Sequence, residues 1–203
     1  MRKVFMWNII LRKPEPTKYI SEAYDLDGMQ YKFWMSQMIK INTEMNENIT
    51  VITSLTKGES ALDNYEEFKN EVLEITSEKN INVEFIPVFQ EIDLDGKTFT
   101  RFFKEVAGLI KDNDRLYVDI TFGIKPYTMS MLTALVYVTK VARNVVVETI
   151  SYIEKYNGMK DPSLVDEATI YNLTSLFYLI SIAGSLNEGE RAAADKMIDL
   201  LLR

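Results

Sequence analysis

The 203 residues include no cysteine and no histidine. The first absence excludes disulfides, thiolate metal sites and cysteine nucleophiles. The second removes the commonest general base, the usual zinc ligand and the Ser-His-Asp triad. Positive charge is in deficit: 23 Lys and Arg stand against 30 Asp and Glu, for a net charge of -7. Duplex DNA, whose backbone is bound by clustered Lys and Arg, is therefore not an expected partner, although a locally positive pocket would still take an anion. Long membrane-type runs are missing too. The longest nearly uncharged stretches, 126–139 and 168–187, are too short or too polar to span a bilayer. The N-terminal MRKVFMW lacks the apolar region and cleavage site of a signal peptide. A soluble, cytoplasmic protein is the expectation, with no metal and no cofactor.

What is present is an ordinary globular composition, 47% apolar, in a length that suits one α/β domain with a small appendage and can bury a core without staples. Residues 3–11 (KVFMWNIIL) are a continuous apolar run ending at RKPEP, which reads as a buried strand and a loop. Asp27-Gly28, between Tyr24 and Tyr31, signals a hairpin turn because this pair readily takes positive φ. Phe33, Trp34, Met38, Ile41 and Met45 recur as on one face of a helix over 31–45. Strands follow at 48–55, 81–89 and 145–153. The helix over 61–77 turns Leu62, Tyr65, Phe68, Val72 and Ile75 inward, and that over 98–111 turns Phe99, Phe102, Phe103, Val106 and Ile110 inward. A strand starting at 115 leads through a polar turn into a long apolar helix, 168–173 reads as a further short strand, and 174–203 as two helices broken near Gly184 and Asn187-Glu188-Gly189. Strands alternating with helices imply βαβ units and an α/β fold, a Rossmann-like, doubly wound, mostly parallel sheet with flanking helices and a C-terminal helical extension. Runs such as VVVETI show little alternation, as expected for strands covered on both faces.

Ligands of open parallel sheets bind beyond the carboxyl ends of the strands. Asp119-Ile120-Thr121-Phe122-Gly123-Ile124-Lys125-Pro126 falls there. Gly123 permits positive φ or close approach to a ligand. Pro126 fits the first helical turn, and Lys125 before it stands at the boundary and adds a positive charge. Free N–H groups of that turn favour an anion, and Thr121, Tyr127 and Thr128 add hydroxyls. Asp119 would repel phosphate and is suited either to bracing the turn or to accepting from a ribose hydroxyl or base amine. An ordinary capped strand-to-helix turn uses the same residue types. The helix YTMSMLTALVYVTKVA, however, is apolar on nearly every side. A sheet covers one side; a second copy is the simplest cover for the other, and would place two copies of the turn on a two-fold axis.

Asp119-Ile120-Thr121-Phe122-Gly123 resembles the Asp-x-Thr-His-Gly signature of proteins carrying a CARF domain, the CRISPR-associated Rossmann fold. The similarity extends to the first strand, the tyrosine-rich YISEAYDLDGMQYKF, the helix after it, the long helix after the motif, and the tail ATIYNLTSLFYLISIAGSLNEGE. Two departures stand out. The signature histidine is Phe122 here, and the first strand runs into NIILRKPEPTKY rather than a glycine-containing turn. The resemblance implies a sensor of cyclic oligoadenylate, a tetra- or hexa-adenylate second messenger of type III CRISPR systems, bound across a homodimer. Its ligand would lie between the loops at Asn8 to Thr17 and Thr121 to Thr128. Arg12, Lys13 and Lys18 would meet phosphates, Phe122 would stack on a base or pack, and Thr53, Ser54, Thr56, Phe89 and Gln90 would be base contacts. Residues 1–173 would form the sensor domain and 174–203 a helical linker toward an effector or partner; the apolar stripe Met197, Leu200, Leu201 and Leu202 is consistent with that.

Some relatives of this kind cleave their own ring, using a ribose 2′-hydroxyl as nucleophile. That reaction needs in-line geometry and charge stabilisation more than a strong base, so the missing histidine does not forbid it; Lys13, Thr121 and Lys125 are the candidates. Other classes fit less well. RKPEPTK has no Gly-x-Gly-x-x-Gly, and SLTKGESAL no P-loop. Asp63, Glu66, Glu67, Glu71 and Glu74 space as the solvated side of a helix rather than a metal cluster. A non-catalytic scaffold that dimerises without nucleotide is the remaining alternative.

Overall fold

The computed structural model describes residues 1–91, 96–155, 167–184 and 191–201. In chain order the elements are β1 (Lys3–Asn8), β2 (Thr17–Ile20), β3 (Gln30–Tyr31), α1 (Trp34–Ile41), β4 (Asn48–Thr56), α2 (Glu59–Ser77), β5 (Asn82–Gln90), α3 (Gly96–Leu109), β6 (Arg115–Asp119), α4 (Lys125–Val141), β7 (Val146–Lys155), β8 (Glu167–Asn172), α5 (Thr174–Ala183) and α6 (Arg191–Leu201). Successive side chains of a strand point to opposite faces. In β1, Phe5 and Trp7 therefore join a core with Trp34 of α1 and Phe68 of α2, while Val4 and Met6 join another with Phe102 of α3, Leu135 of α4 and Phe177 of α5. Both faces of this strand are buried, which is why its sequence does not alternate.

The strand order is β3-β2-β8-β7-β6-β1-β4-β5. Five consecutive strands, β7-β6-β1-β4-β5, are all parallel. The chain runs outward from β1 through β4 to β5, then crosses back to β6 on the other side of β1 and continues to β7. This is a Rossmann-like, doubly wound α/β fold, and its order reverses between β1 and β6. β8 pairs antiparallel with β7, β2 parallel with β8, and β3 antiparallel with β2. The eight strands are the five read from the sequence, the short addition at 168–173, and the two strands of the hairpin signalled by Asp27-Gly28.

Element boundaries differ where tertiary contacts decide them. Ile9 and Ile10 are buried but lie past the end of β1. The hairpin signalled by Asp27-Gly28 is β2–β3; Gly28 has φ +71°, yet the connection spans 21–29. The helix expected over 31–45 is confined to α1, and Met45 is 68% exposed rather than inward. In α2 the inward position belongs to Ala61, and Leu62 points out. Glu71, expected on the solvated side, is half-buried and accepts the Lys32 and Phe33 N–H groups at the start of α1. α5 packs on the sheet through Phe177, and Tyr178 Oη donates to the Val147 carbonyl at 3.0 Å. The break expected at 187–189 lies outside the described residues. Among the described residues no helix is long and apolar enough to cross a membrane.

Candidate functional site

The strand order reverses between β1 and β6, and the Asp119–Lys125 turn crosses the carboxyl ends of these strands. Gly123 adopts φ +96°, and a Cβ there would meet Asn8 Cγ at 2.7 Å. The turn is therefore seated directly on the Asn8 side chain. Asn8 is fixed from both sides: its Oδ1 accepts from Gln90 Nε2 (3.2 Å), and its Nδ2 donates to Thr128 Oγ1 (3.4 Å). Gln90 also donates to Ser54 Oγ at 2.7 Å. A buried polar cluster drawn from β1, β4, β5 and α4 underlies the turn, satisfied as such clusters must be.

Asp119 is the brace on the other side. It is fully buried, and it accepts from Thr121 N (3.1 Å), Thr121 Oγ1 (2.9 Å) and Ser151 Oγ (2.8 Å). Ser151 Oγ in turn accepts from Trp34 Nε1 (2.9 Å), and Thr121 Oγ1 from Ile153 N (2.8 Å). Two donor chains thus converge on one carboxylate and tie α1, β7 and the turn together. Burial raises the Asp119 carboxyl to about 6, against the Ser151 and Thr121 hydrogen bonds that pull it down. Of the two roles open to Asp119, bracing is the one its burial suits.

The helix that follows offers fewer donors than its position suggests. Ile124 caps α4 without a side-chain bond, Pro126 has no N–H, and the Tyr127 and Thr128 N–H groups both donate to the Ile124 carbonyl. The first turn keeps the Lys125 N–H, next to those of Gly123 and Ile124. Tyr127 is a correction: its ring is fully buried between Phe99 and Phe102, and its Oη donates to the Glu91 carbonyl at 2.8 Å. Small hydroxyls flank the turn, but this one belongs to the core. Thr53 is likewise buried, accepting from Trp7 Nε1 at 3.0 Å, and Ser54 serves Gln90. Thr17 Oγ1 donates to the Glu15 carbonyl, and Lys18 is paired with Glu167. Asn8, Thr53 and Ser54 therefore support the turn from below, whereas Thr17, though buried, lines the cavity behind the loop after β1.

The residues that do face solvent here are Arg12, Lys13, Gly123 and Lys125, with Thr121, Phe122, Ile124 and Thr128 partly exposed. Arg12, Lys13 and Lys125 have no ion-pair partner among the described residues. Lys57, at the end of the adjacent β4, lies over the Phe89 ring, 5.7 Å from its centroid, and Phe89 is 40% exposed. Three adjacent strands, β6, β1 and β4, are thus followed by cations with no ion-pair partner among the described residues, on a chain of net charge -7. Asn64 of α2, which no local pattern singles out, holds the loop after β1: its Nδ2 donates to the Ile10 (2.6 Å) and Arg12 (2.9 Å) carbonyls. Behind this loop is a cavity of about 330 Å³ to which Arg12, Lys13 and Phe122 contribute. Among the described residues no three Asp or Glu side chains converge as a metal site. The acidic stretch of α2 is dispersed, with Glu66 on Lys69 and Glu67 on Lys32. No family model matches the chain, and no curated protein does.

Proposed function

We propose that this chain is a CARF-like sensor of cyclic oligoadenylate, a tetra- or hexa-adenylate, held between two copies of the β1/β6 rim, and that it serves a type III CRISPR response. The observation that carries the reading is the coincidence of three features at one place. The strand order reverses there, an Asp-x-Thr-x-Gly turn crosses the reversal, and cations without an ion pair among the described residues collect on an otherwise acidic chain. Open α/β sheets bind ligands at such reversals, and a local positive rim attracts an anion whatever the net charge. Phe122, partly exposed beside the turn, offers a ring face of the kind on which any base stacks.

Calorimetric titration with cyclic tri-, tetra- and hexa-adenylate, against linear tetra-adenylate, tests the reading. One ring bound per two chains is the expected result. Incubation of that complex, followed by chromatography for linear product, decides between a sensor and a slow ring nuclease. No heat with any ring would leave a Rossmann-like scaffold and dispose of the nucleotide reading.

A further inference from the structure

The cavity behind the loop after β1 has a composition of its own. Trp7, Tyr19, Phe33, Trp34 and Phe122 contribute five aromatic rings to its lining. Among the described residues the lining cations are Arg12, Lys13 and Lys32, against one carboxylate, Glu15. Lys32 is already held by Glu67, which leaves Arg12 and Lys13 as the cations without an ion pair among the described residues. An aromatic box edged by carboxylates would take a cation. This one is edged by cations, so its preference is for an aromatic body carrying negative charge. The indole N–H groups are not available for recognition: Trp7 donates to Thr53 and Trp34 to Ser151. Trp7, Tyr19, Phe33 and Trp34 are almost wholly buried, so the ring face open to a ligand is that of Phe122, which would hold a base without reading its edge. The volume, about 330 Å³, stands at the small end for ligand pockets and suits one nucleotide rather than a chain of them.

We infer that this cavity binds a single nucleoside monophosphate unit, with its base on Phe122 above the buried Trp7 and Trp34 and its phosphate on Arg12 and Lys13. The unit is either a free mononucleotide or one member of a cyclic oligoadenylate, and only the second source rests on the function proposed above.

Trp7 and Trp34 are the only two tryptophans in the chain, and both line the cavity. Their fluorescence therefore reports its occupancy. AMP, adenosine and cyclic tetra-adenylate are titrated into the full chain and into the double variant Arg12→Ala/Lys13→Ala. These two side chains are exposed and unpaired, so the variant keeps its circular dichroism and melting profile. The expected result is saturable quenching by AMP, weakened at least about tenfold in the double variant and for adenosine, the loss expected of a charge-assisted contact. Quenching by the ring alone, abolished in the double variant, also supports the site and names the ring as its source. A ring that binds by calorimetry while neither it nor AMP changes the fluorescence would overturn the inference and leave the sensor standing. AMP quenching without any ring binding would do the reverse. Phe122→Ala adds a second check, since AMP affinity unchanged in a folded Phe122→Ala protein would remove the base from the proposed position.

Discussion

Gly123 and Asp119 hold the same turn by opposite means, one by lacking a side chain and one by burying a charged one. Gly123 has φ +96° and no room, because Asn8 beneath it is hydrogen-bonded on both sides and cannot swing away. Gly123→Ala adds left-handed strain and an overpacked contact, together about 2–4 kcal/mol. Thermal melting should show Tm lowered by roughly 5–15 °C for a chain of this size. An unchanged Tm would mean that the turn reseats itself at little cost. Asp119 makes a pH prediction. Its folded-state value, about 6, lies above the unfolded 3.8. The native state therefore binds more protons between these values, so the stability from this group is full below the lower one and is lost as pH rises through about 6. The total is roughly 3 kcal/mol, of which about 1 kcal/mol remains to be lost between pH 5 and 7.5. Urea unfolding of the wild type relative to Asp119→Asn should show that fall, and a pH-independent difference would remove Asp119 as its source. Lys125 is the contrasting case. It is exposed and unpaired among the described residues, so Lys125→Ala should leave Tm unchanged while weakening ring binding by more than about tenfold, as judged by calorimetry.

The loop after β1 is positioned by a helix far from it in sequence. Asn64 of α2 donates to two carbonyls of that loop and so couples the rim cations Arg12 and Lys13 to the α1/α2 layer. Asn64→Ala leaves those carbonyls unsatisfied, a loss of about 1–3 kcal/mol. Ligand affinity should fall with it although residue 64 touches no ligand; a stability loss with unaltered affinity would show that the loop holds its shape unaided. Such couplings mark the boundary of what could be read in the sequence. The parallel core was legible because β1, β4, β5, β6 and β7 are apolar runs between helix-period segments, and the turn was legible because Gly123 and Pro126 punctuate one of those junctions. β2 and β3 were legible only through the Asp27-Gly28 turn between them, since four-residue and two-residue strands carry too little pattern of their own, and β2 owes its place in the sheet to β8. Asn8, Gln90 and Ser54 are brought together from three strands, and Trp34, Ser151 and Asp119 from a helix and two strands. Separations of this length leave no local signal, so residues read as ligand contacts proved to be the supports beneath the turn. Tyr127 was placed wrongly for a related reason: its neighbours Phe99 and Phe102 belong to another helix.

Charge and apolar surface are segregated over the molecule, and this bears on how two copies would meet. α3 packs beside α4 on the same face of the sheet, and Met129, Tyr137 and Val141 of α4 remain exposed, at 67%, 48% and 58%. α5 lies beside the C-terminal end of α4, where Lys140 Nζ reaches the Gly184 carbonyl, and it exposes Leu176 and Ile180. Neither 126–139 nor 174–183 contains a charged residue. Two chains of net charge -7 repel each other, and this strip would add no like charges to a contact between them. A dimer through this strip would bring Met129, one turn into α4, close to the ligand rim of both copies. Met129→Lys tests the arrangement with the least ambiguity. The site is exposed, so monomer stability should change by no more than about 0.5 kcal/mol. The new charge would oppose its own copy across a two-fold axis. Being positive, it would not repel an anionic ring. Sedimentation should therefore show a dimer for the wild type and a monomer for the variant, and ring affinity should collapse with the dimer. A variant that is monomeric but binds the ring as before would confine the ligand to one chain; a wild type that is itself monomeric, and remains so when the ring is added, would end the shared-ligand reading.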